Sequence, residues 1–416
     1  MYKKIVAGAL AFALVFGIGG TLGGVDKGVF AVNASAEEEM PTSGKCGENL
    51  TWKLDADGTL TISGTGDMKP MAKGNFGNVY GWESLNVNKV ELKNGITSIG
   101  SDAFEFTNIK EIHIPSGVTK IGYHAFSGCH RLVSIELPDG LTEIGEFCFH
   151  NSEKLEKIEM PDSLTTLGRA AFANCYELGE VRLSDNLKRI EIDTFSDCTS
   201  LEKVNIPRNL KYIGDYSFKD CIVLDDIDIS PSVREIGTSA FENCSNLTNV
   251  TFHEGLYTIR YDAFCNTNLK SVDIPESVTK IEWNAFLGCK FKNVILSENL
   301  NSIGEDAFGY IEGDYSAHIK LENFTITGYK NSAAEKYAKN NGFKFVELKK
   351  TVSVGDANGD NEINVSDIAV SAAHIKGIKP LTDEQQKAAD VNDDDKVNVT
   401  DIAMIASHIK GIKALK

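Results

Sequence analysis

Two stretches toward the C-terminus carry oxygen-bearing side chains at one fixed spacing. The first reads Asp356-x-Asn358-x-Asp360-x-Glu362-x-Asn364-x-x-Asp367. The second, 34 positions on, reads Asp390-x-Asn392-x-Asp394-x-Lys396-x-Asn398-x-x-Asp401. Positions 1, 3, 5, 9 and 12 of each twelve-residue loop thus offer a carboxylate or amide oxygen. A hard cation such as Ca²⁺ takes six to eight oxygens at about 2.3–2.6 Å, and a loop supplies them from alternate residues as it wraps the ion. Position 7, Glu362 or Lys396, would give its backbone carbonyl, so its side chain can vary. One such loop can arise by chance in an acidic chain. Two in step, each followed by near-identical text, point to a pair of calcium ions.

The elements that must position these donors are read from the flanks. The loops depart from a standard EF-hand, with Asp rather than Glu at position 12 and Asn361 or Asp395 where Gly is expected at position 6. Asn and Asp are the non-glycine residues most tolerant of a left-handed turn, so the bend should survive. No amphipathic helix precedes the first loop. Each loop instead runs into one helix, expected over 366–376 and 400–410, and residues 367–379 match 401–413 in the pattern Asp-Ile-Ala-x-x-Ala-x-His-Ile-Lys-Gly-Ile-Lys. Between them Thr382 has the character of an N-cap and opens a short helix to about Ala389.

Over residues 355–416 this segment resembles a type I dockerin, the module that attaches secreted proteins to cellulosome scaffolds by binding a cohesin domain. The resemblance rests on the two loops, Asp at position 12, the loop-then-helix order and the duplicated Ile-Lys-Gly ending. It implies Ca²⁺ as cofactor and a cohesin of a scaffoldin as partner. It also implies cohesin contacts from Val365, Ser366, Ala369, Val370, Ala373 and His374, and from their matches Val399, Thr400, Ala403, Met404, Ser407 and His408. The likeness of the two repeats allows binding in two orientations related by a half turn. His374 and His408 have no second ligand one helical turn away, which favours surface or interface roles over metal binding.

Compartment is read from the other end. Lys3 and Lys4, an apolar run over 5–25 and Ala34-Ser35-Ala36 before an acidic stretch read as a secretory signal cleaved after Ala36. An uncleaved anchor is the alternative, although five glycines dilute the run. Cleavage would remove three Lys and one Asp, taking the formal net charge from −17 to −19. That charge disfavours nucleic acid or an anionic membrane as partner. The protein is therefore expected to be secreted, extracellular and attached through its scaffold at the bacterial cell surface.

The middle of the chain is periodic. Phenylalanines stand at 104, 126, 149, 172, 195, 218, 241, 264, 286 and 308, with gaps of 22 or 23 throughout. Around each runs one phrase, as in Ile112-His113-Ile114-Pro115, then Val118-Thr119-Lys120-Ile121-Gly122, then Ala125-Phe126. A period of this length predicts a leucine-rich-repeat solenoid, β-rich with short strands and turns, in which each turn buries its apolar edge against its neighbours. The pattern resembles the BspA-like repeats of bacterial surface proteins over about 89–348, with a closing helix over 327–338 and a last strand over 343–346. Before it, Cys46 to Trp52 and Thr59 to Ile62, joined through Asp55-Ala56-Asp57-Gly58, read as a β-hairpin cap. The expected organisation is a signal segment (1–36), a β cap (37–88), repeats (89–348), a linker (349–354) and a small all-α calcium-binding dockerin (355–416).

The repeat also assigns the cysteines. Cys129, Cys175, Cys198, Cys221, Cys244 and Cys289 each stand three residues after a repeat Phe, which predicts a column of small buried side chains rather than disulfides. Cys46, Cys148 and Cys265 fall off the column. No nucleophile elbow, HExxH, phosphate loop or CxxC pair occurs. Glu91, Glu136, Glu159, Asp228 and Asp273 share an outward column with Arg182 and His113, a solvated mixed face rather than a catalytic pair.

Two residues stand out as a ligand face. Tyr261 and Trp283 lie three before the Phe in adjacent turns and are expected to form a flat aromatic strip for sugar rings or a protein partner. The reading is a secreted non-catalytic cellulosome component whose repeats recognise plant cell-wall polysaccharide, a cell surface or another protein. The alternatives are a carbohydrate-active hydrolase and a cell-surface adhesin.

Overall fold

The computed structural model describes residues 42–70, 82, 85–314, 317–349, 353–360 and 362–415. The expected signal segment, Asn361 and half of the expected linker (350–352) lie outside the described residues.

Short alternations of aliphatic and polar residues make strands of two to four residues, and the 22- or 23-residue period sets each strand beside its counterpart in the next turn. One column of parallel strands runs through Lys89–Leu92, Glu111–His113 and Ser134–Glu136. It reappears in Lys157–Glu159, Glu180–Arg182 and Lys203–Val204. The second column runs through Ile96–Ile99, Lys120–Ile121, Glu143–Ile144 and Thr166–Leu167, then from Arg189–Ile190 to Ser302–Ile303. Register puts like on like, Ile112 beside Ile135 and Ile213 beside Ile236. The aliphatic member of each strand is buried and its polar neighbours are exposed.

The Ala-Phe phrase makes the third side of each turn. Here successive turns are joined by backbone hydrogen bonds from alternate residues, such as Phe126 N–H to the Cys148 carbonyl and Gly128 N–H to the His150 carbonyl, both at 2.8 Å. The bend needs two left-handed residues per turn, one on either side of the Phe. Around Phe218 these are Tyr216 (φ 58°) and Asp220 (φ 59°). The second place is Asn or Asp in most turns, the residue types with least cost there. All ten repeat phenylalanines are fully buried, and their rings stack at centroid spacings of 5.0–5.5 Å with planes within 22°.

The cysteine column is buried and unbridged, as expected, but its chemistry is more than apolar packing. Each thiol donates to the carbonyl of the preceding turn's Phe, for example Cys175 to Phe149 and Cys198 to Phe172, both at 3.2 Å. Ser152 does the same to Phe126 at 2.9 Å. The column therefore selects small hydrogen-bond donors that satisfy a buried carbonyl. Cys148, off the column, occupies the place that Ala fills in most other turns.

Both ends of the solenoid are closed. Strands β1 (Ser43–Lys45), β2 (Gly47–Leu54) and β3 (Thr59–Met68) form an antiparallel cap, one strand more than the expected hairpin. The first half of β3 pairs with Lys89–Leu92 and its far end with Ile96–Ile99, so one strand starts both columns. Trp82 continues the aromatic ladder, stacked 6.3 Å from Phe104 and edge-on to Trp52. At the other end, helix α1 (Ala333–Asn341) has Ser332 as N-cap and Gly342 as a left-handed C-cap. Its Tyr337 hydroxyl accepts from Phe308 N–H (3.0 Å) and donates to Phe308 O (2.8 Å), supplying hydrogen bonds that a further turn would have made. The last strand is Lys344–Glu347. Before this cap, Tyr310–Glu312 pairs antiparallel with His318–Lys320.

Past residue 353 come helices α2 (Val365–Ile375), α3 (Asp383–Ala389) and α4 (Val399–Ile409), with α2 packed on α4. The two long helices begin and end one residue earlier than expected, because Asn364 and Asn398 are the N-caps. Each forms a capping box with the Asp three places on.

Candidate functional site

The two donor loops are built alike from their own side chains. Asp356 is fully buried and its Oδ1 accepts from the N–H groups of Gly359 (2.7 Å) and Asp360 (3.1 Å). Asp390 Oδ1 accepts from Asp394 N–H at 3.0 Å. Asn358 and Asp360 accept in turn from the N–H groups of Asp360 and Glu362, and Asn392 and Asp394 from those of Asp394 and Lys396. Each of these bonds turns a side chain back into its loop. Hydrogen bonds from the Asn358 amide and the Glu362 N–H hold the Asp360 carboxyl below its ordinary value, so it is ionised and acceptor-only near neutrality.

Position 12 ties loop to helix. Asp367, fully buried, accepts at Oδ1 from Asn358 N–H (3.0 Å) and at Oδ2 from Asn364 N–H (2.8 Å). Asp401 repeats this with Val391 (3.1 Å) and Asn398 (2.9 Å). At position 9, the Asn364 and Asn398 oxygens are engaged as helix caps, accepting from Ser366 and Thr400 N–H at 2.8 Å. An oxygen engaged in this way would reach an ion through water, as position 9 of these loops often does. The Glu362 side chain is exposed and accepts from the Asn364 amide, and the Lys396 side chain is exposed. This leaves position 7 to act through its carbonyl. Asp395 has φ 61°, the left-handed bend expected at position 6. An all-oxygen set of this kind fits a hard divalent cation.

The expected partner face divides. Val365 and Val399, the first residues of α2 and α4, are 71% and 72% exposed. Ala369, Ala403 and Thr400 are exposed, while Ser366, Ala373, Met404 and Ser407 are half-buried. Val370 turns inward against Ala357, Leu381 and Ala389 and is better described as core. His374 and His408 also differ from expectation: each ring accepts through Nδ1 from the backbone N–H of the residue seven later, Leu381 (3.0 Å) and Leu415 (3.2 Å). They fix the chain leaving each helix. Ile378 and Ile412, not singled out in the sequence, are 74% and 73% exposed just past the helices. The duplicated Lys-Gly-Ile-Lys was the sequence feature that marked them as a matched pair.

On the solenoid, Tyr261 and Trp283 are exposed neighbours, but their rings meet edge to face at 78° with centroids 6.1 Å apart, not as one flat strip. The turn geometry directs two successive side chains outward without making them coplanar. Immediately before them in sequence lies a break in the repeat that the sequence reading passed over. Four residues before the Phe most turns have Gly, because a Cβ there would strike the preceding turn: at Gly237 it would lie 2.6 Å from Asp215 N. Glu191, Arg260 and Glu282 stand in that place instead. Arg260 reaches Glu235 (3.4 Å), Asp215 (3.8 Å) and Glu282 (3.8 Å), and the nearly buried Glu282 also takes Lys280 at 2.5 Å. A charged network thus stands next in sequence to two exposed aromatic residues.

Acid catalysis finds little support along the outward face. Lys89 and Lys93, each 2.8 Å from Glu91, pull its carboxyl down to about 2, opposite to the raised value of a general acid. Burial raises Asp193 and Asp262. They lie three turns apart, roughly 14 Å at strand spacing, beyond the 5–9.5 Å of a glycosidase pair.

Fold and loops together define a leucine-rich-repeat solenoid followed by a duplicated loop–helix cation module. The BspA-type leucine-rich-repeat model matches in six copies over residues 78–202, 189–313 and 257–354, and the dockerin type I model matches 354–410. The chain belongs to the BspA-type leucine-rich-repeat family and carries a type I dockerin domain, a cohesin-binding module of the cellulosome type. Similar solved structures include a leucine-rich-repeat protein from Bacteroides ovatus, 22% identical, covering 73% of this chain and 99% of that one with a TM-score of 0.40. A leucine-rich cell surface protein from Faecalibacterium prausnitzii is 23% identical, covering 74% and 100%, with a TM-score of 0.35. The T. pallidum leucine-rich-repeat protein is 21% identical, covering 71% and 94%, with a TM-score of 0.33. No curated protein matches, and the comparisons find no catalytic domain. Among the described residues no helix is long and apolar enough to cross a membrane.

Proposed function

We propose that this protein is a secreted, non-catalytic cellulosome component. Its dockerin would bind a scaffoldin cohesin in a Ca²⁺-dependent way, and its solenoid would act as a recognition module. The observation that carries the reading is the paired loop: two oxygen-lined turns, each locked by a buried Asp to the helix whose first residue is an exposed Val. Two ions would be held by Asp356, Asn358, Asp360, Asp367 and the Glu362 carbonyl, and by Asp390, Asn392, Asp394, Asp401 and the Lys396 carbonyl, with Asn364 and Asn398 acting through water. The ion would neutralise facing carboxylates and so order each loop against its helix. The cohesin face would then comprise Val365, Ser366, Ala369, Val399, Thr400 and Ala403, extended by Ile378 and Ile412.

For the solenoid, the ligand face would centre on Tyr261 and Trp283 beside Arg260 and Glu282. Exposed rings beside fixed charged groups suit a polysaccharide, since sugars present C–H faces for stacking and hydroxyls for hydrogen bonding. The test is capture of the calcium-loaded protein by insoluble plant cell wall, by bacterial envelopes and by the secreted proteome. Retention on cell wall that falls in Tyr261→Ala plus Trp283→Ala supports the polysaccharide reading. Retention unchanged in that variant, or capture by envelopes or proteins alone, counts against it.

A further inference from the structure

Among the described residues, one further group of side chains has metal-ligand chemistry within mutual reach: Asp102, Glu105 and His124. Asp102 and His124 hold the same place, two before the ladder Phe, in consecutive turns. Both are left-handed, with φ 57° and 52°. Their backbones are stacked and bonded onward, Asp102 N–H to Tyr123 O at 2.8 Å and His124 N–H to Glu146 O at 3.1 Å. The side chains therefore leave side by side from a rigid base, and Glu105 joins them from just past Phe104. No other pair of consecutive turns places an acid and a histidine at this position.

The geometry has the dimensions of a coordination site. His124 Nδ1 lies 3.2 Å from Glu105 Oε1 and 3.7 Å from Asp102 Oδ1, and one ligand atom of each residue lies within 4.8 Å of the others. Ligands of a tetrahedral ion with bonds of about 2.0–2.2 Å stand roughly 3.4 Å apart, which these two distances straddle. The Asp102, Glu105 and His124 side chains are only 8%, 15% and 19% exposed. The imidazole is clamped, stacked 3.9 Å from the Tyr123 ring and met edge-on by Phe147 at 5.2 Å. One imidazole nitrogen with two carboxylates suits zinc and its neighbours rather than calcium, which prefers an all-oxygen cage.

We propose that Asp102, Glu105 and His124 form a binding site for a divalent transition-metal ion of the zinc class, joining the first two turns of the solenoid. Without an ion the same groups make a His–Glu hydrogen bond, and the experiment separates the two. The full-length protein, kept in excess Ca²⁺ so that the dockerin loops are filled, is titrated with Co²⁺ by absorption spectroscopy and calorimetry. One Co²⁺ should bind per chain with visible d–d bands and be displaced by Zn²⁺. Glu105→Gln keeps the size and a hydrogen bond to the imidazole, and His124→Ala removes the nitrogen. Each should weaken binding by at least the roughly 10–100-fold that loss of even an outer-shell partner costs. Glu105→Gln carries the test if His124→Ala fails to fold. Absence of binding, equal affinity in a folded variant, or a thiolate charge-transfer band would each overturn the assignment.

Discussion

Replacing Phe218 by Ala probes what holds the solenoid together. The ring has no exposed surface and is sandwiched between Phe195 at 5.4 Å and Phe241 at 5.2 Å. Truncating a buried Phe costs about 3–5 kcal/mol, depending on how far the site can collapse. Collapse is restrained here, because backbone bonds from Phe195 to Ser217 and from Phe218 to Ala240 hold the turns at fixed spacing. Each ring pair adds about 0.5–1.5 kcal/mol beyond burial, so the loss should fall in the upper half of the range, about 4–5 kcal/mol. Phe218→Leu, which nearly conserves volume, should cost about 1.5 kcal/mol. The assay is urea unfolding followed by circular dichroism and tryptophan fluorescence. Trp52 and Trp82 report the first turns and Trp283 the later ones. Since each turn contacts only its neighbours, the Ala variant should also separate the two signals. A Phe218→Ala loss below about 1 kcal/mol, the scale of an unremarkable substitution, would refute the ladder as the main source of cohesion.

Three other outcomes follow from the same structure. Gly237→Ala would place a Cβ 2.6 Å from Asp215 N and Gly214 C, and should lower stability by about 1–3 kcal/mol in thermal unfolding. No change would mean that the turns dilate freely. Burial pushes the Cys129 and Cys289 thiols from 9.0 up to about 12, so the folded chain keeps protons that the unfolded chain releases. Their stabilising effect is complete below pH 9 and is lost as pH rises toward 12, by about 1.4 kcal/mol per pH unit per thiol. A flat stability curve between pH 9 and 11 would contradict this. All nine cysteines are buried, so Ellman's reagent should find no reactive thiol in the native protein and nine in denaturant. A native thiol reacting at the rate of a small-molecule thiol would count against it.

Much of this was legible because repetition multiplies weak signals. A Phe every 22 or 23 residues fixes one ring per turn, and the ladder follows from the period alone. The paired loop–helix units were readable for the same reason, as two copies in step. What resisted reading depended on contacts between turns. Nothing in the sequence says that Cys198 donates to Phe172 O, because the acceptor is a backbone carbonyl 26 residues away. The Asp102–Glu105–His124 group also appears only when consecutive turns are superposed column by column. His374 looked like a surface residue, since helical spacing shows no partner. Its partner, Leu381 N–H, lies beyond the helix end. Tyr261 and Trp283 were correctly placed side by side, but ring orientation depends on side-chain torsions that no spacing encodes.

The most direct test of the account is binding of the full-length protein to a panel of type I cohesins by calorimetry, with calcium and with chelator. The account predicts that binding occurs only with calcium and that Asp356→Ala plus Asp390→Ala abolishes it. The solenoid's thermal transition should stay in place throughout. Equal affinity with and without chelator would contradict the central claim.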